Sequence, residues 1–179
     1  LSVTEAEPDE DFISQVKDNI DEDAGIFCVN IRLTEVFEGN EERIESIDEP
    51  LEIRIELTEE LKAPADSKKA RDYSLISVYD GKTVVSEANY SNGYLTFKTD
   101  KFSVYAIAYI DLDYGDVNGD DKVNAKDVLA IRKSLVGSDA GTYYNAAGDV
   151  NADGKVNAKD VLKIRKYIVD KTSETLGQA

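Results

Sequence analysis

The stretch GDVNGDDKVNAKDVLAIRKSLVG (residues 115–137) returns as GDVNADGKVNAKDVLKIRKYIVD (148–170), offset by 33 residues and identical at 17 of 23 positions. The differences fall at 119/152, 121/154, 130/163, 134/167, 135/168 and 137/170. Each copy opens on oxygen-bearing side chains at loop positions 1, 3, 5, 9 and 12. They are Asp116, Asn118, Asp120, Asn124 and Asp127, then Asp149, Asn151, Asp153, Asn157 and Asp160. Hard oxygen donors at this spacing wrap one cation, and the backbone carbonyl at position 7 (Lys122, Lys155) supplies a further ligand. The predicted cofactor is calcium, one ion per loop and therefore two. Gly154 stands at position 6, where the chain must turn sharply. Asp121 takes that place in the first copy, at some conformational cost. Position 12 is Asp, one methylene shorter than the Glu that usually closes an EF-hand loop.

Each loop runs into an amphipathic segment. At about 100° per residue, Val128, Ile131 and Leu135 share one face, expected to pack on the other repeat. Leu129 and Val136 form a second apolar stripe about a quarter turn away, with Arg132 between the stripes and Lys126 and Lys133 flanking. The second copy repeats this with Leu162, Arg165, Val169, Lys159 and Lys166. Apolar anchors rimmed by cations have the composition of a protein-binding surface. On so acidic a chain, locally basic helices call for an acidic patch on the partner.

The chain has 179 residues and a formal charge of −16. That charge repels nucleic acid and anionic membrane surfaces, whose recognition needs clustered Lys and Arg. With no His, imidazole acid–base chemistry and most zinc sites are excluded. A single cysteine allows no internal disulfide; Cys28, inside GIFCVNIRL, reads as a small buried hydrophobe. No stretch approaches the ~20 apolar residues of a membrane span. No motif singles out a carboxylate pair for glycoside hydrolysis among 37 acidic residues, so the chain is expected not to be an enzyme and to have no catalytic residues. The opening LSVTEAEPDEDF lacks Met and a charged-then-apolar leader, as a fragment of a longer precursor would.

Before about Tyr109 the grammar is period two. IFCVNIRLTEVF (26–37) and LEIRIEL (51–57) alternate as half-buried strands do, and FSVYAIAYI (102–110) is a final apolar strand. Asp80-Gly81 and Asn92-Gly93 are hairpin signals between further strands. Phe12, Ile13, Val16 and Ile20 sit at helical spacing in a short leading helix, and LTEELKAP (57–64) is expected to form one further turn. These short strands predict an antiparallel β-sandwich of immunoglobulin-like type. Its tyrosines (Tyr73, Tyr79, Tyr90, Tyr94, Tyr105, Tyr109) fall mostly at core positions, although a carbohydrate-binding role for this region stays open as an alternative. So does a calcium sensor for the repeat pair, although sensors expose Met-rich grooves and this chain has no Met. Only IDLDY (110–114) separates the two regions, a connection short enough to predict a fairly rigid two-part body.

At GDVNGDDKVNAKD and GDVNADGKVNAKD the chain resembles a dockerin, the module that plugs cellulosomal enzymes and scaffold proteins into cohesin domains. The resemblance covers residues 115–171. It implies an all-α C-terminal domain (111–179) in which the two calcium-loop–helix repeats pack antiparallel. Cohesin contacts are then implied at Ala125, Lys126, Leu129, Arg132, Lys133 and Val136, and at Ala158, Lys159, Leu162, Arg165, Lys166 and Val169. Many dockerins carry hydroxyl residues where this chain has Ala-Lys (125–126 and 158–159). The first region (1–110) looks like an X module, the sandwich that sometimes precedes a dockerin and braces it. The expected partner is the cohesin of a scaffoldin or a cell-surface anchoring protein, outside the cell, with no nucleic acid and no membrane insertion. If both helices carry the same contacts, one cohesin could be bound in two orientations related by ~180°; the swaps at 130/163, 134/167 and 137/170 break that symmetry.

Overall fold

A computed structural model describes residues 1–62, 68–79 and 81–178. The elements in chain order are β1 (Ser2–Glu5), α1 (Glu10–Lys17), β2 (Gly25–Phe37), β3 (Asn40–Ile44), β4 (Ser46–Glu56), β5 (Lys69–Tyr79), β6 (Lys82–Glu87), β7 (Asn89–Ser91), β8 (Tyr94–Lys101), β9 (Val104–Asp113), α2 (Ala125–Leu135), α3 (Asn145–Gly148) and α4 (Ala158–Val169). Two compact units divide the chain: residues 1–61 with 73–110, and residues 62–72 with 111–179.

The first unit is built on a six-stranded sheet ordered β1-β2-β9-β5-β6, with β3 pairing β2, and a three-stranded sheet ordered β4-β8-β7. Register explains how the larger sheet is covered on both faces. Cys28 pairs Ala106 and Val29 pairs Tyr105 across β2 and β9, so successive pairs point to opposite sides. One side gives Val29, Ile31, Tyr73, Leu75, Tyr105 and Ile107, which share a core with Ile53, Leu95 and Phe97 of the smaller sheet. The other gives Cys28, Ile76, Ala106 and Ala108, packed with Val16 of α1. Asp9 caps that helix by accepting from the Phe12 N–H at 2.8 Å, and Glu10 and Asp11 favour its positive end.

Hairpin chemistry follows the sequence signals. Asn92 and Gly93 hold φ of +51° and +82°, as the two central residues of a type I′ turn must, and they join β7 to β8. Gly81 closes the β5–β6 hairpin at φ +67°; Asp80, its expected partner in the turn, lies outside the described residues. In LTEELKAP a turn forms at 58–61, where the Leu61 N–H donates to the Thr58 carbonyl, while 63 and 64 lie outside the described residues.

The expected fold needs correction in both halves. In place of an immunoglobulin-like two-layer sandwich, the first unit stacks α1, a large sheet and a small sheet. The helix claims the sheet face that a sandwich would leave to solvent. Nor is the C-terminal part an all-α pair of antiparallel repeats. Among the described residues only α2, α3 and α4 are helical there, because each loop needs left-handed residues, at Gly119 and Asp121 and at Ala152 and Gly154, which no helix accommodates.

In the second unit, repeat-equivalent apolar side chains are fully buried in pairs, Val117 with Val150 and Ile131 with Ile164. The start of β5 also belongs to this unit. Arg71 donates to both carboxylate oxygens of Asp111 at 2.7 Å, and Asp72 accepts from the Ala146 N–H at 3.0 Å.

Candidate functional site

Backbone geometry distributes one cost differently between the two loops. Positions 4 and 6 are left-handed in both, at φ +70° and +59° for Gly119 and Asp121, and +54° and +82° for Ala152 and Gly154. Each loop therefore relieves one of the two positions with glycine and holds the other with a side chain. Two of the six sequence differences between the copies are this single exchange.

The oxygen-bearing residues come together within each loop through backbone amides. Asp116 Oδ1 accepts from the N–H of Gly119 at 2.9 Å and of Asp120 at 3.1 Å. Asn118 Oδ1 also accepts from Asp120, at 3.3 Å. Asp127, fully buried, accepts from Val117 at 3.1 Å and from Asn124 at 2.8 Å. The second loop repeats the pattern: Asp149 accepts from Asp153 and Gly154 at 3.1 and 2.8 Å, Asn151 from Asp153 at 3.0 Å, and buried Asp160 from Asn151 and Asn157 at 3.3 and 2.8 Å. Asn124 and Asn157 are the N-caps of α2 and α4, accepting from Lys126 and Lys159 at 2.9 Å each. Their amide nitrogens donate to the position-7 carbonyls of Lys122 and Lys155 at 3.1 and 3.2 Å. Both caps are reciprocal boxes, closed by Asp127 and Asp160.

Electrostatics in the loops favour an added cation. Burial pushes the Asp127 carboxyl up, and the neighbouring Asp116 charge adds to this. Burial also raises Asp149, with Asp160 and Asp153 contributing. Asp120 is held low, first by the hydrogen bond from Lys126 and then by Asn118. Its other oxygen, Oδ1, is buried with no hydrogen-bond partner. A buried carboxylate oxygen without a donor is a ready ligand for a hard cation. Among the described residues, however, no three His, Cys, Asp or Glu side chains converge into a metal-holding group. The acids are engaged by amides, and Asp120 and Asp153 are drawn outward by Lys126 and Lys159 at 3.0 and 3.7 Å. The oxygen chemistry of the donors fits calcium, and at Asp120 the lysine takes Oδ2 while Oδ1 is left for an ion.

All twelve helix residues singled out in the sequence are exposed. Leu129 and Leu162 are 55% and 53% exposed, and Val136 and Val169 are 75% and 87%. The buried stripe differs from the expected one. Ile131 is buried with Ala130 and Asp127, whereas Leu135 is 46% exposed at the end of α2. In the first unit, Tyr73 and Tyr105 are buried; Tyr90 stacks on Tyr73, and Arg54 covers the Tyr94 ring at 3.8 Å.

Sequence reasoning missed the segments that follow the helices. Tyr144 donates its N–H to the Val117 carbonyl at 2.8 Å, and Gly177 does the same to Val150 at 2.8 Å. These pairs are equivalent at the offset of 33. A Cβ added at Gly115 would meet Leu176 and Val123, just as one added at Gly148 would meet Tyr143 and Val156. Each copy is thus a loop, a helix and a strap; each strap hydrogen-bonds to the loop of its own copy and brings one side chain beside the opening glycine of the other. With little identity between 138–147 and 171–178, only the offset could have signalled the correspondence.

Two cap-linked oxygen loops, each opening a helix with an exposed apolar and cationic face, make up a duplicated loop–helix module. Residues 114–169 match the family model of the dockerin type I domain, and this segment is a dockerin module. Dockerin type I domains bind calcium and dock non-catalytically into cohesins in cellulosome assembly, and such modules occur in secreted cellulosomal proteins. No curated protein and no solved structure matches the chain.

Proposed function

We propose that residues 111–179 bind two calcium ions through Asp116, Asn118, Asp120, the Lys122 carbonyl, Asn124 and Asp127 and their second-copy counterparts. So loaded, they dock into a cohesin of a scaffoldin or a cell-surface anchoring protein outside the cell. The observation that carries this reading is the pairing of exposed Leu129 and Val136, and Leu162 and Val169, beside Arg-Lys pairs at repeat-equivalent positions. Exposed apolar anchors in a cationic rim are the makings of an interface hot spot.

The N-terminal region, X-module-like, braces this module. Support for bracing comes from strand β5. Arg71, whose side chain is 9% exposed, pairs with Asp111, and Asp72 holds the start of α3. The chain ahead of residue 111 thus contributes to the unit that carries the loops.

Chelation tests the reading. Excess EGTA should lower the helical circular dichroism of the C-terminal unit and abolish capture by a cohesin, because ten carboxylate and amide ligands have no reason to converge without the ion. Unchanged dichroism together with unchanged capture would sink it.

A further inference from the structure

The two docking faces match in sequence at Arg132-Lys133 and Arg165-Lys166, but they differ in charge environment. Lys166 Nζ lies 3.2 Å from Glu174, and Ser173, next to Glu174, donates to the Lys166 carbonyl at 3.4 Å. Glu174 belongs to the second strap. At the offset of 33 its counterpart is Gly141, which has no side chain to offer Lys133. Among the described residues, Arg132, Lys133 and Arg165 have no ion-pair partner. Asp170, which ends α4 where Gly137 ends α2, is turned to Thr172 instead, accepting from its N–H at 2.9 Å and its hydroxyl at 2.7 Å.

We propose that the second strap biases the module between its two faces. Glu174 discharges Lys166, so the partner's acidic patch is taken by the face of α2 (Leu129, Arg132, Lys133, Val136). The face of α4 becomes an equal site only when that pair is broken. The inference rests on the cohesin reading above and names which half of the site acts. Its basis is charge complementarity alone, because the apolar anchors of both faces are similarly exposed. An exposed ion pair sets the expected preference at about two- to five-fold, and screening makes it shrink with salt.

The test uses the full chain, calcium and immobilised type I cohesin domains. R165Q/K166Q leaves the first face intact, and R132Q/K133Q leaves the second. The former should bind about two- to five-fold tighter, and adding E174Q to R132Q/K133Q should remove the difference. Dichroism in calcium verifies that each variant folds; all five residues are solvent-facing or partly so, and no metal-ligating residue is altered. Equal affinities before E174Q is added, or no gain on adding it, would overturn the proposal. If the unmodified chain binds none of the cohesins in calcium, the cohesin reading itself fails and the bias falls with it.

Discussion

The exchange of glycine between positions 4 and 6 of the two loops yields a prediction with opposite signs at neighbouring sites. An L-residue in the left-handed region costs about 1–2 kcal/mol, while replacing glycine by alanine recovers about 0.4–1 kcal/mol through the unfolded chain. At Gly154, φ is +82° and an added Cβ meets nothing within 4 Å, so Gly154→Ala should cost the difference, about 0.5–1.5 kcal/mol. At Gly119 the Cβ would also lie 3.0 Å from Tyr144 Cε2. Crowding adds about 1–3 kcal/mol, so Gly119→Ala should cost about 2–4 kcal/mol in all. Ala152 already bears the strain at φ +54°, and Ala152→Gly should stabilise by about 0.5–1 kcal/mol. Urea unfolding in saturating calcium, followed by far-ultraviolet dichroism, reads all three, and a calcium titration reads the same order if folding and binding are linked. Equal losses at 119 and 154 would refute the Tyr144 contact. A destabilising Ala152→Gly would refute the strain at 152.

Asp127→Ala should remove a loop ligand and a capping box together, and leave the Val117 and Asn124 amides without acceptors. A loss of about 2–4 kcal/mol should appear as lower helical dichroism and lower apparent calcium affinity, and Asp160→Ala should match it. Arg71→Ala should destabilise the C-terminal unit by about 1.5–3 kcal/mol, since it leaves a half-buried Asp111 unpaired; differential scanning calorimetry would read this as a lower transition for that unit. Burial raises the Cys28 thiol above its ordinary value, so a thiol reagent at pH 8 should label it only on unfolding. The sign of the pH effect follows: the unfolded chain releases this proton first, so the first unit loses stability as pH climbs through the ordinary thiol range.

The loops were legible because their information is local. Oxygen spacing along a dozen residues fixes which side chains share a turn, and a second copy in the same register repeats the measurement. Helix faces were legible only in part. Angle alone put Leu135 with Ile131, but α2 is short and its last turn is exposed, while the small Ala130 fills the buried stripe. In the first unit, the alternation of 26–37 was read as one buried and one wet face. Cys28 beside Val29, Ala106 between Tyr105 and Ile107, and Ala108 after Ile107 are all buried, so both faces of the sheet are covered. Small residues on the second side were the available sign of a covering helix. That residues 62–72 fold with 111–179 could not be read, because it rests on pairs such as Arg71–Asp111, forty residues apart.

Asp127 and Asp160 explain why the loop and the face it displays cannot be separated. Each carboxylate ties the opening of its loop, at Val117 or Asn151, to the first turn of its helix, at Asn124 or Asn157. Neutralising a buried acid of this kind with a divalent ion removes the penalty that burial and neighbouring acids impose. The same carboxylate closes the capping box and so fixes the helix start, and hence the rotation of Leu129 and Arg132, or Leu162 and Arg165, about its axis. Ile131 and Ile164, one from each copy, are both fully buried, and each strap holds its own loop while reaching the opening glycine of the other copy. Duplication is therefore a requirement of folding first. The choice between two faces arises as its consequence, and the exchange of Gly141 for Glu174 is where the chain departs from a symmetric answer.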